Sequence, residues 1–537
     1  MHHILIEYLF MVLVILGLVL FANKIKIAYP IILVIGGLIL SFTEQFSHIG
    51  INPEIVFLIF LPPLLYEAAW QTSWKEFWKW RRVITSFAFP IVIITSTIIA
   101  FFSSAYIPGF TLALGFLLGG IISPPDAVSA TTIMRQVNAP KSLVSIIEGE
   151  SLLNDASSLI VFRFALAAVL TGQFDFKEAT LSFFLVIIMG VFIGLLIGLL
   201  IYLLHRFLPL TPSIETVLTL ITPYAMYYAA EHYHFSGVLA VVSGGLLLSS
   251  KRQEMLNYQS RIQGVNVWGN LVFVFNGFIF LLIGLQLPVI TDDLGTINLS
   301  SAIAWGIAIS AVLILTRLGS SFGAAAFTRF ISRFITVADA NPGWKMPLIA
   351  GWAGMRGVVS LAAALSIPVM LPNGAPFPLR NLVLFITFVV ILITLVFQGL
   401  TLPWLIRKIN VSDKYNNLAE AEQNLLIQKK LAIVCKEHLR TRYERDSLHN
   451  PYVSNLLAKL ETDLLHFENP ANASQQPESN ALLGFHRIQL DLLTVQRNYL
   501  AHINRKDEFD EEIIRNYFSL LDLEEYRIRE SQLTLLR

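Results

Sequence analysis

Long apolar stretches alternate with short polar segments along the chain as far as about residue 410. A helix that crosses a bilayer needs roughly 17 to 25 mostly apolar residues. Measured against that length, the pattern predicts thirteen membrane-spanning helices. The predicted spans cover residues 4–22, 27–43, 54–70, 83–106, 111–134, 142–170, 178–205, 212–230, 235–250, 268–290, 299–327, 346–370 and 380–406.

The pattern changes after about Val411, where charged residues become frequent and no apolar stretch is long enough to span a bilayer. Apolar residues recur there at helical spacing within four segments. Such amphipathic helices ordinarily bury their apolar stripe, so packing or dimerisation is the simplest role for this tail. The sequence therefore predicts a membrane domain over residues 1–410 and a helical tail over residues 411–537, whose ligand or partner it does not identify.

The loops between the predicted spans differ in charge on alternate sides. One set of loops carries fifteen lysine and arginine residues, whereas the other carries only Lys177 and Arg380. Cytoplasmic loops of membrane proteins carry the excess of basic residues. We therefore expect the N-terminus outside, the C-terminal tail in the cytoplasm, and a location in the plasma membrane. The compact loops favour a bacterial inner membrane.

Only 14% of the 537 residues are charged and 55% are hydrophobic, which excludes an ordinary soluble protein. The net charge of +1 gives no reason to expect a nucleic-acid partner. No glycine-rich phosphate loop is present, and the histidines lack metal-ligand spacing. The composition and motifs thus predict an all-α polytopic membrane protein, surrounded by lipid, that is not an enzyme and needs no cofactor.

The sixth predicted span contains ionisable residues in the run Glu148-Gly-Glu-Ser-Leu-Leu-Asn-Asp155. At 1.5 Å per residue, Asp155 lies about 20 Å from the cytoplasmic start of the span, near the bilayer midplane. A carboxylate at that depth is costly and usually marks an ion or proton path. With Ser151 on the same face and Asn154 beside it, Asp155 is a candidate site for a small monovalent cation or a proton. The alternative is a structural carboxylate that joins helices through a buried hydrogen bond.

Two predicted spans are interrupted near mid-depth, one in each half of the chain. Ser123-Pro-Pro-Asp126 breaks the fifth span, because Pro124 and Pro125 cannot donate backbone hydrogen bonds. Three glycines weaken the twelfth span around Arg356. Interrupted spans in both halves indicate a transporter whose site lies at the midplane. Asp126 is expected at the depth of Asp155, and Arg356 is expected either to neutralise a helix end or to pair with Asp126.

A second pair of charges is predicted behind this site. Glu150 lies about 140° around the helix from Asp155 and therefore faces elsewhere. Arg317 in the eleventh span has a matching depth. We predict a structural or conformational ion pair between Glu150 and Arg317, since a buried charge without its partner costs roughly 3 to 5 kcal/mol. Glu67 lies near the end of a span, where extension toward the membrane interface is the simpler explanation.

Five ordered motifs resemble those of the monovalent cation:proton antiporters, in the branch of bacterial Na+/H+ antiporters and animal sodium/hydrogen exchangers. The resemblance covers roughly residues 1–410 and is highly specific. The motifs are Leu61-Pro-Pro-Leu-Leu-Tyr-Glu-Ala-Ala-Trp70, Ser123-Pro-Pro-Asp-Ala-Val128, Glu148-Gly-Glu-Ser-Leu-Leu-Asn-Asp155, Gly354-Met-Arg-Gly357 and Gln398-Gly-Leu-Thr-Leu-Pro403.

The resemblance implies thirteen spans in two inverted repeats, with crossed unwound helices at the fifth and twelfth spans. It also implies a homodimer in which a core domain moves against a dimerisation domain. Asp155 is implied as the cation and proton carrier, with Asn154, Asp126 and Ser151 around the ion. The Asn-Asp pair resembles the electroneutral branch of the family.

One residue departs from the family pattern and bears on ion preference. Many relatives have threonine immediately before the aspartate of the fifth span, where this chain has Pro125. The hydroxyl is lost while the backbone carbonyl remains, which bears on cation affinity and on the choice between Na+ and K+.

The sequence therefore predicts an antiporter that exchanges Na+, with K+ or Li+ as alternatives, for H+ and so serves pH and sodium homeostasis. Two rival functions stay open at this level. A cation channel would need a continuous polar pore and would conduct without proton coupling. An ion-sensing membrane protein would signal through the tail, and truncation after about residue 410 would abolish its output while leaving a transporter some exchange.

Overall fold

A computed structural model describes most of the chain. The described residues are 2–43, 56–172, 176–292, 294, 297–334, 337–339, 341–411, 420–444, 450–468, 477–503 and 511–536. Within these ranges the chain forms helices, and its extended residues make one isolated bridge, between Met370 and Pro376. The all-helical class predicted from the apolar pattern is confirmed.

Sixteen helices lie in the first part of the chain. They are α1 (His2–Ile25), α2 (Tyr29–Leu40), α3 (Leu61–Gln71), α4 (Trp74–Tyr106), α5 (Leu112–Ile122), α6 (Ala127–Gln136), α7 (Lys141–Thr171), α8 (Phe176–Phe207), α9 (Pro212–His232), α10 (Gly237–Met255), α11 (Tyr258–Leu285), α12 (Leu287–Asp292), α13 (Leu299–Ile331), α14 (Lys345–Trp352), α15 (Val358–Leu365) and α16 (Arg380–Ile409). The tail adds α17 (Glu420–Arg442), α18 (Pro451–Glu468), α19 (Pro477–Ile503) and α20 (Glu511–Leu536).

The chain divides into two compact units, residues 1–413 and 414–537. In the second unit, ion pairs join neighbouring helices: Arg440 of α17 bonds Glu461 of α18 at 2.6 Å, and Arg497 of α19 bonds Asp522 of α20 at 2.6 Å. These pairs are largely exposed, so each adds little stability and the apolar stripes carry most of the packing. The assignment of the two units to membrane and cytoplasm stays a prediction.

Among the described residues, seven helices are long and apolar enough to cross a membrane. They include α4, with 33 residues, and α7, with 31 residues. Other predicted spans fall on shorter helices such as α2, whose 12 residues are fewer than a straight crossing needs. The chain is thus an integral membrane protein by composition and length, while the count of thirteen spans stays a prediction.

Both spans that were predicted to be interrupted are interrupted. The fifth divides into α5 and α6 with Ser123–Asp126 between them, and the twelfth divides into α14 and α15 with Ala353–Gly357 between them. Each interruption leaves backbone carbonyls and N–H groups without helical partners, so other groups must satisfy them. The two breaks therefore concentrate polar backbone in the middle of an otherwise apolar unit.

Close packing of α5 against α4 depends on glycine. A Cβ atom added to Gly115 would lie 2.6 Å from the carbonyl oxygen of Ala100, and one added to Gly119 would lie 2.6 Å from that of Ser96. Small residues let membrane helices approach this closely. The helix α5, which is the first half of the interrupted fifth span, is consequently packed closely against the longer helix α4.

A π-helical turn at Phe87–Ile91 interrupts the regular bonding of α4. Pro90 lies inside it and has no N–H to donate, which frees a carbonyl of the preceding turn. Ala88 lies within the same π-helical turn, and its carbonyl oxygen accepts a hydrogen bond of 2.5 Å from Ser157 Oγ of α7. The turn thus joins α4 to the helix that contains Asp155.

Candidate ion-binding site

The two helix breaks cross and are bonded to each other. The backbone N–H of Asp126 donates to the carbonyl oxygen of Met355 over 2.7 Å. A Cβ atom on Gly357 would lie 2.8 Å from Cγ of Asp126, so only glycine allows the second break to come this close. The crossing therefore brings the beginnings of α6 and α15 together.

Asp126 is placed where its negative charge is compensated by backbone. Its Oδ1 accepts from the N–H of Val128 at 3.2 Å, and its Oδ2 accepts from the N–H of Ser129 at 3.3 Å and from Ser129 Oγ at 2.7 Å. This is the N-cap of α6, and the positive end of a helix stabilises a carboxylate there. With Gly357 against it, Asp126 also lies beside the N-terminus of α15.

Arg356 compensates the negative C-terminal end of α5, whereas Asp126 compensates the positive N-terminal end of α6. Its side chain is 1% exposed, and it donates from Nε to the carbonyl of Ile122 at 2.8 Å and from Nη2 to that of Ser123 at 3.1 Å. Nη1 donates to the carbonyl of Gly354. A cation stabilises the negative C-terminal end of a helix. Two roles were expected for Arg356. The structure shows its bonds to a helix end, and it shows no bond between Arg356 and Asp126 among the described residues.

Ser151 of α7 spans the first break. Its Oγ accepts from the N–H of Ala127 at 3.3 Å and lies 3.5 Å from the carbonyl oxygen of Pro125, to which it can donate. The hydroxyl and that carbonyl are therefore adjacent oxygens. The arrangement ties α7 to both sides of the interruption.

Asp155 faces a cavity of about 320 Å³ that lies against the crossing. Pro124, Pro125, Asp126 and Ser151 form part of the same wall. Asp155 is 7% exposed, and its carboxylate has no hydrogen-bond donor among the residues that the structure describes. A buried carboxylate that the protein leaves without a donor is costly, and a cation or proton that binds it removes that cost.

The cavity continues toward the end of α7 that begins at Lys141. Glu148 lies seven residues before Asp155 on this wall, and Arg135 Nη2 bonds its Oε1 at 2.7 Å. The two side chains are 62% and 26% exposed, so this pair lies at the mouth. Glu67 also lines the cavity, where its Oε1 accepts from Gln71, whereas the sequence favoured an extension to the membrane interface.

The opposite face of α7 holds the predicted ion pair. Arg317 of α13 bonds both carboxylate oxygens of Glu150, from Nη2 at 2.7 Å and from Nη1. The residues are 2% and 0% exposed, and the guanidinium lies 5.5 Å from the ring of Phe87. A Cβ on Gly354 would lie 2.8 Å from Arg317 Nε, so the pair also presses against the second break. Two parallel bonds fix the orientation of both side chains.

Asn154 lies apart from the cavity that Asp155 faces. It is 0% exposed, and neither its Nδ2 nor its Oδ1 has a hydrogen-bond partner among the described residues. Consecutive helix residues point about 100° apart, which turns Asn154 away when Asp155 faces the cavity. The sequence grouped the two residues, and the structure brings Ser151, Asp126 and Pro125 to Asp155 instead.

Several polar groups of the site were missed by reasoning from the sequence. Ser129 follows Asp126 by three residues, the spacing of a capping interaction, so a signal for it was present. Thr394 accepts the backbone N–H of Arg356 at 3.1 Å from 38 residues away, and no local signal indicates that contact. Asn276 of α11 and Ser360 of α15 also line the cavity. The helix α11 takes no part in either break, and α15 begins where the second break ends.

Comparison with known proteins gives a family match over most of the membrane unit. Residues 10–408 match the family model described as sodium/hydrogen exchanger, transmembrane. A sodium, potassium, lithium and rubidium/H+ antiporter of Bacillus pumilus is 33% identical over 75% of this chain, and the match spans 62% of that relative. An uncharacterized Na+/H+ exchanger of Escherichia coli, YjcE, is 31% identical over 96% of this chain and 97% of its own length.

The fold also matches a solved structure. The sodium proton antiporter MjNhaP1 of Methanocaldococcus jannaschii aligns with a TM-score of 0.56 at 18% identity, over 76% of this chain and 100% of that one. At this identity the likeness concerns the arrangement of the helices.

Proposed function

The chain belongs to the sodium/hydrogen exchanger family, and on that premise we propose that it exchanges a monovalent cation for protons across a membrane. One observation carries the proposal: the Asp155 carboxylate faces a cavity beside two crossed helix breaks and has no donor from the described protein. The names of the relatives, which include Na+/H+ and Na+, K+, Li+ and Rb+/H+ antiporters, support the same exchange.

The proposed mechanism is competition at one carboxylate. Asp155 binds either a cation or a proton, and a small hard cation prefers oxygen ligands of the kind supplied by Ser151, Asp126 and the carbonyl of Pro125. The domain that carries Asp155 changes its access from one side of the membrane to the other far less readily when the carboxylate is unloaded and charged than when a bound cation or proton neutralises it. Because each ligand excludes the other, inward movement of one is coupled to outward movement of the other.

The crossing keeps this site polar without leaving a net charge buried in lipid. Asp126 compensates two helix N-termini and Arg356 compensates the C-terminal end of α5. Since these charges are balanced locally, Asp155 is the group whose charge changes with the load. One proton against one monovalent cation then makes the exchange electroneutral, as the Asn154-Asp155 pair also suggested.

The surroundings of the transporter follow from the same premise. We place residues 1–410 in the plasma membrane, in a bacterial inner membrane, with the N-terminus outside and the tail of residues 411–537 in the cytoplasm, because basic loops face the cytoplasm. Alternating access by a core domain that moves within a homodimer, and a role in pH and sodium homeostasis, are part of this proposal.

The test uses purified protein in proteoliposomes with a trapped pH dye, pulsed with Na+, K+ or Li+ against choline. A cation-dependent pH change in the wild type that vanishes in Asp155→Asn supports antiport through Asp155 and identifies the ion. An imposed membrane potential should leave the rate unchanged if exchange is electroneutral. Cation flux or binding without a pH change would instead favour a channel or a sensor.

The pH profile supplies a second test of competition. Transport should rise and then fall with pH, because a low pH keeps the carboxylate protonated and a high pH leaves few protons to exchange. Raising the Na+ concentration should shift the low-pH limb toward lower pH. A flat profile over several pH units contradicts competition at one carboxylate.

A further inference from the structure

A second cavity, of about 1090 Å³, lies in the membrane unit away from the carboxylate of Asp155. The first half of α4 forms one wall, α8 and α10 form the opposite wall, and the C-terminal end of α13 closes it. These helix ends adjoin the basic loops. Its interior is mostly apolar, and Leu195 and Phe327 are 41% and 59% exposed there.

The mouth of this cavity carries a pair of tryptophans. Trp74 and Trp78 stack with their ring centroids 5.8 Å apart and are 47% and 54% exposed. Tryptophan is enriched where a membrane meets water, because the ring is apolar and its N–H is polar. The mouth is therefore suited to the depth of lipid headgroups.

The same rim is positively charged. Lys79, Arg81 and Arg82 line the cavity on the α4 side, and among the described lining residues the one acid is Asp339, on the far side. Arg81 lies 4.5 Å from the ring of Trp78 and donates from Nη1 to the carbonyl of that residue at 2.5 Å. Arg81 forms no ion pair with any residue that the structure describes. Its guanidinium is thus held in place without an acidic partner.

An apolar interior with a cationic rim selects the chemistry of the occupant. A zwitterionic lipid brings its phosphate together with a cationic group that the basic rim repels, and a small soluble anion would leave the apolar interior unfilled. An anionic phospholipid meets both requirements, because its headgroup pairs with the basic rim and its acyl chains fill the apolar interior. Each basic residue near the membrane surface strengthens the binding of such a lipid about fivefold.

We propose that this cavity binds an anionic phospholipid, with its acyl chains between α4 and the pair α8 and α10 and its phosphate at Arg81. The inference uses the membrane placement proposed above but not the exchange reaction. Leu153 of α7 lies on the cavity wall two residues from Asp155, so the bound lipid touches the helix that carries the ion-binding carboxylate.

The test counts the phospholipids that the purified full-length chain retains in native mass spectrometry. Dioleoylphosphatidylglycerol or dioleoylphosphatidylcholine is titrated into the detergent solution. Arg81→Gln removes the rim charge, whereas Leu195→Trp fills the interior and keeps every charge. Lys408→Gln is the matched control, because Lys408 lies 4.6 Å from the ring of Trp404 in a similar cation-ring contact outside this cavity.

We expect the wild type to bind phosphatidylglycerol more tightly than phosphatidylcholine. The apparent affinity should fall about fivefold in Arg81→Gln, be lost at this site in Leu195→Trp, and stay unchanged in Lys408→Gln. Equal binding of both lipids by the wild type overturns the proposal, and so does an equal loss in Arg81→Gln and Lys408→Gln.

Two further arms keep the result interpretable. Competition by glycerol 3-phosphate at concentrations comparable to the lipid would indicate a site for soluble phosphate and overturn the lipid assignment. Thermal unfolding in lipid-free detergent shows whether each variant is folded. If Leu195→Trp is not, Phe327→Trp fills the cavity from α13, and lipid binding that survives this filling contradicts the proposed position.

Discussion

The two faces of α7 differ in how their polar side chains are bonded. On the cavity face, the carboxylate of Asp155 has no donor among the described residues. On the opposite face, Glu150 is bonded twice to Arg317 and Ser157 donates to the carbonyl of Ala88. The comparison shows two carboxylates of one helix in opposite states: that of Glu150 is paired with a guanidinium, and that of Asp155, which we propose takes up the ion, is left without a donor by the described residues.

The largest effect should come from the cavity face. Asp155→Asn removes the group that binds cation and proton while nearly conserving its volume, so cation-driven pH change should fall to the background of empty liposomes. The free energy of unfolding should stay within about 1 kcal/mol of the wild-type value, because the carboxylate forms no hydrogen bond with the described residues. Retained exchange in this variant would remove Asp155 from the mechanism.

The next effect concerns the opposite face and appears in stability. Arg317→Ala leaves Glu150 buried without a partner, which should cost roughly 3 to 5 kcal/mol and lower both the yield of folded protein and the unfolding temperature. The double variant Glu150→Leu, Arg317→Leu removes both charges and should recover much of that loss. Unchanged expression and transport in Arg317→Ala would contradict the importance of this pair.

Two serines, one on each face, give a matched comparison of smaller size. Ser151→Ala removes an oxygen beside the cavity and should raise the apparent KM for the cation by about fivefold, for a bond worth about 1 kcal/mol. Ser157→Ala should leave that KM unchanged and lower stability by about 1 kcal/mol. If both variants changed KM equally, the separation of the two faces would fail.

The smallest effect is expected at the mouth of the cavity. Arg135→Gln frees Glu148 from an exposed ion pair worth about 0.2 to 1 kcal/mol, so cation affinity should rise about twofold at low ionic strength. Salt screens exposed charges, and the gain should therefore disappear in about 0.3 M choline chloride. Arg206→Gln, which removes an exposed pair with Glu254 outside the cavity, is the control.

Much of this arrangement could be predicted from the sequence because helix geometry is regular. The angle between Glu150 and Asp155 and the depth of Arg317 sufficed to place those residues on two faces. The prolines of the fifth span and the glycines of the twelfth predicted both breaks. Their physical effect on helix bonding is local, so no knowledge of the partner helices was needed.

What could not be predicted depends on contacts between distant segments. The direction of Arg356 toward Ile122 rather than Asp126 is decided by how the breaks cross, and periodicity carries no information on that. Asn154 was grouped with Asp155 by adjacency, although a step of 100° separates their directions. The π-helical turn of α4 had one signal, Pro90 within a long apolar span, which does not predict that the carbonyl of Ala88 accepts a hydrogen bond from α7.

The bond from Arg356 to Ile122 has a consequence for how the protein is made. The two residues are 234 positions apart, and at roughly 5 to 20 residues per second a ribosome needs about ten to fifty seconds to synthesise the intervening chain. Throughout that interval Arg356 is not yet available to the C-terminal end of α5. We therefore expect delays in translation between the two segments to reduce the yield of folded protein more than delays elsewhere.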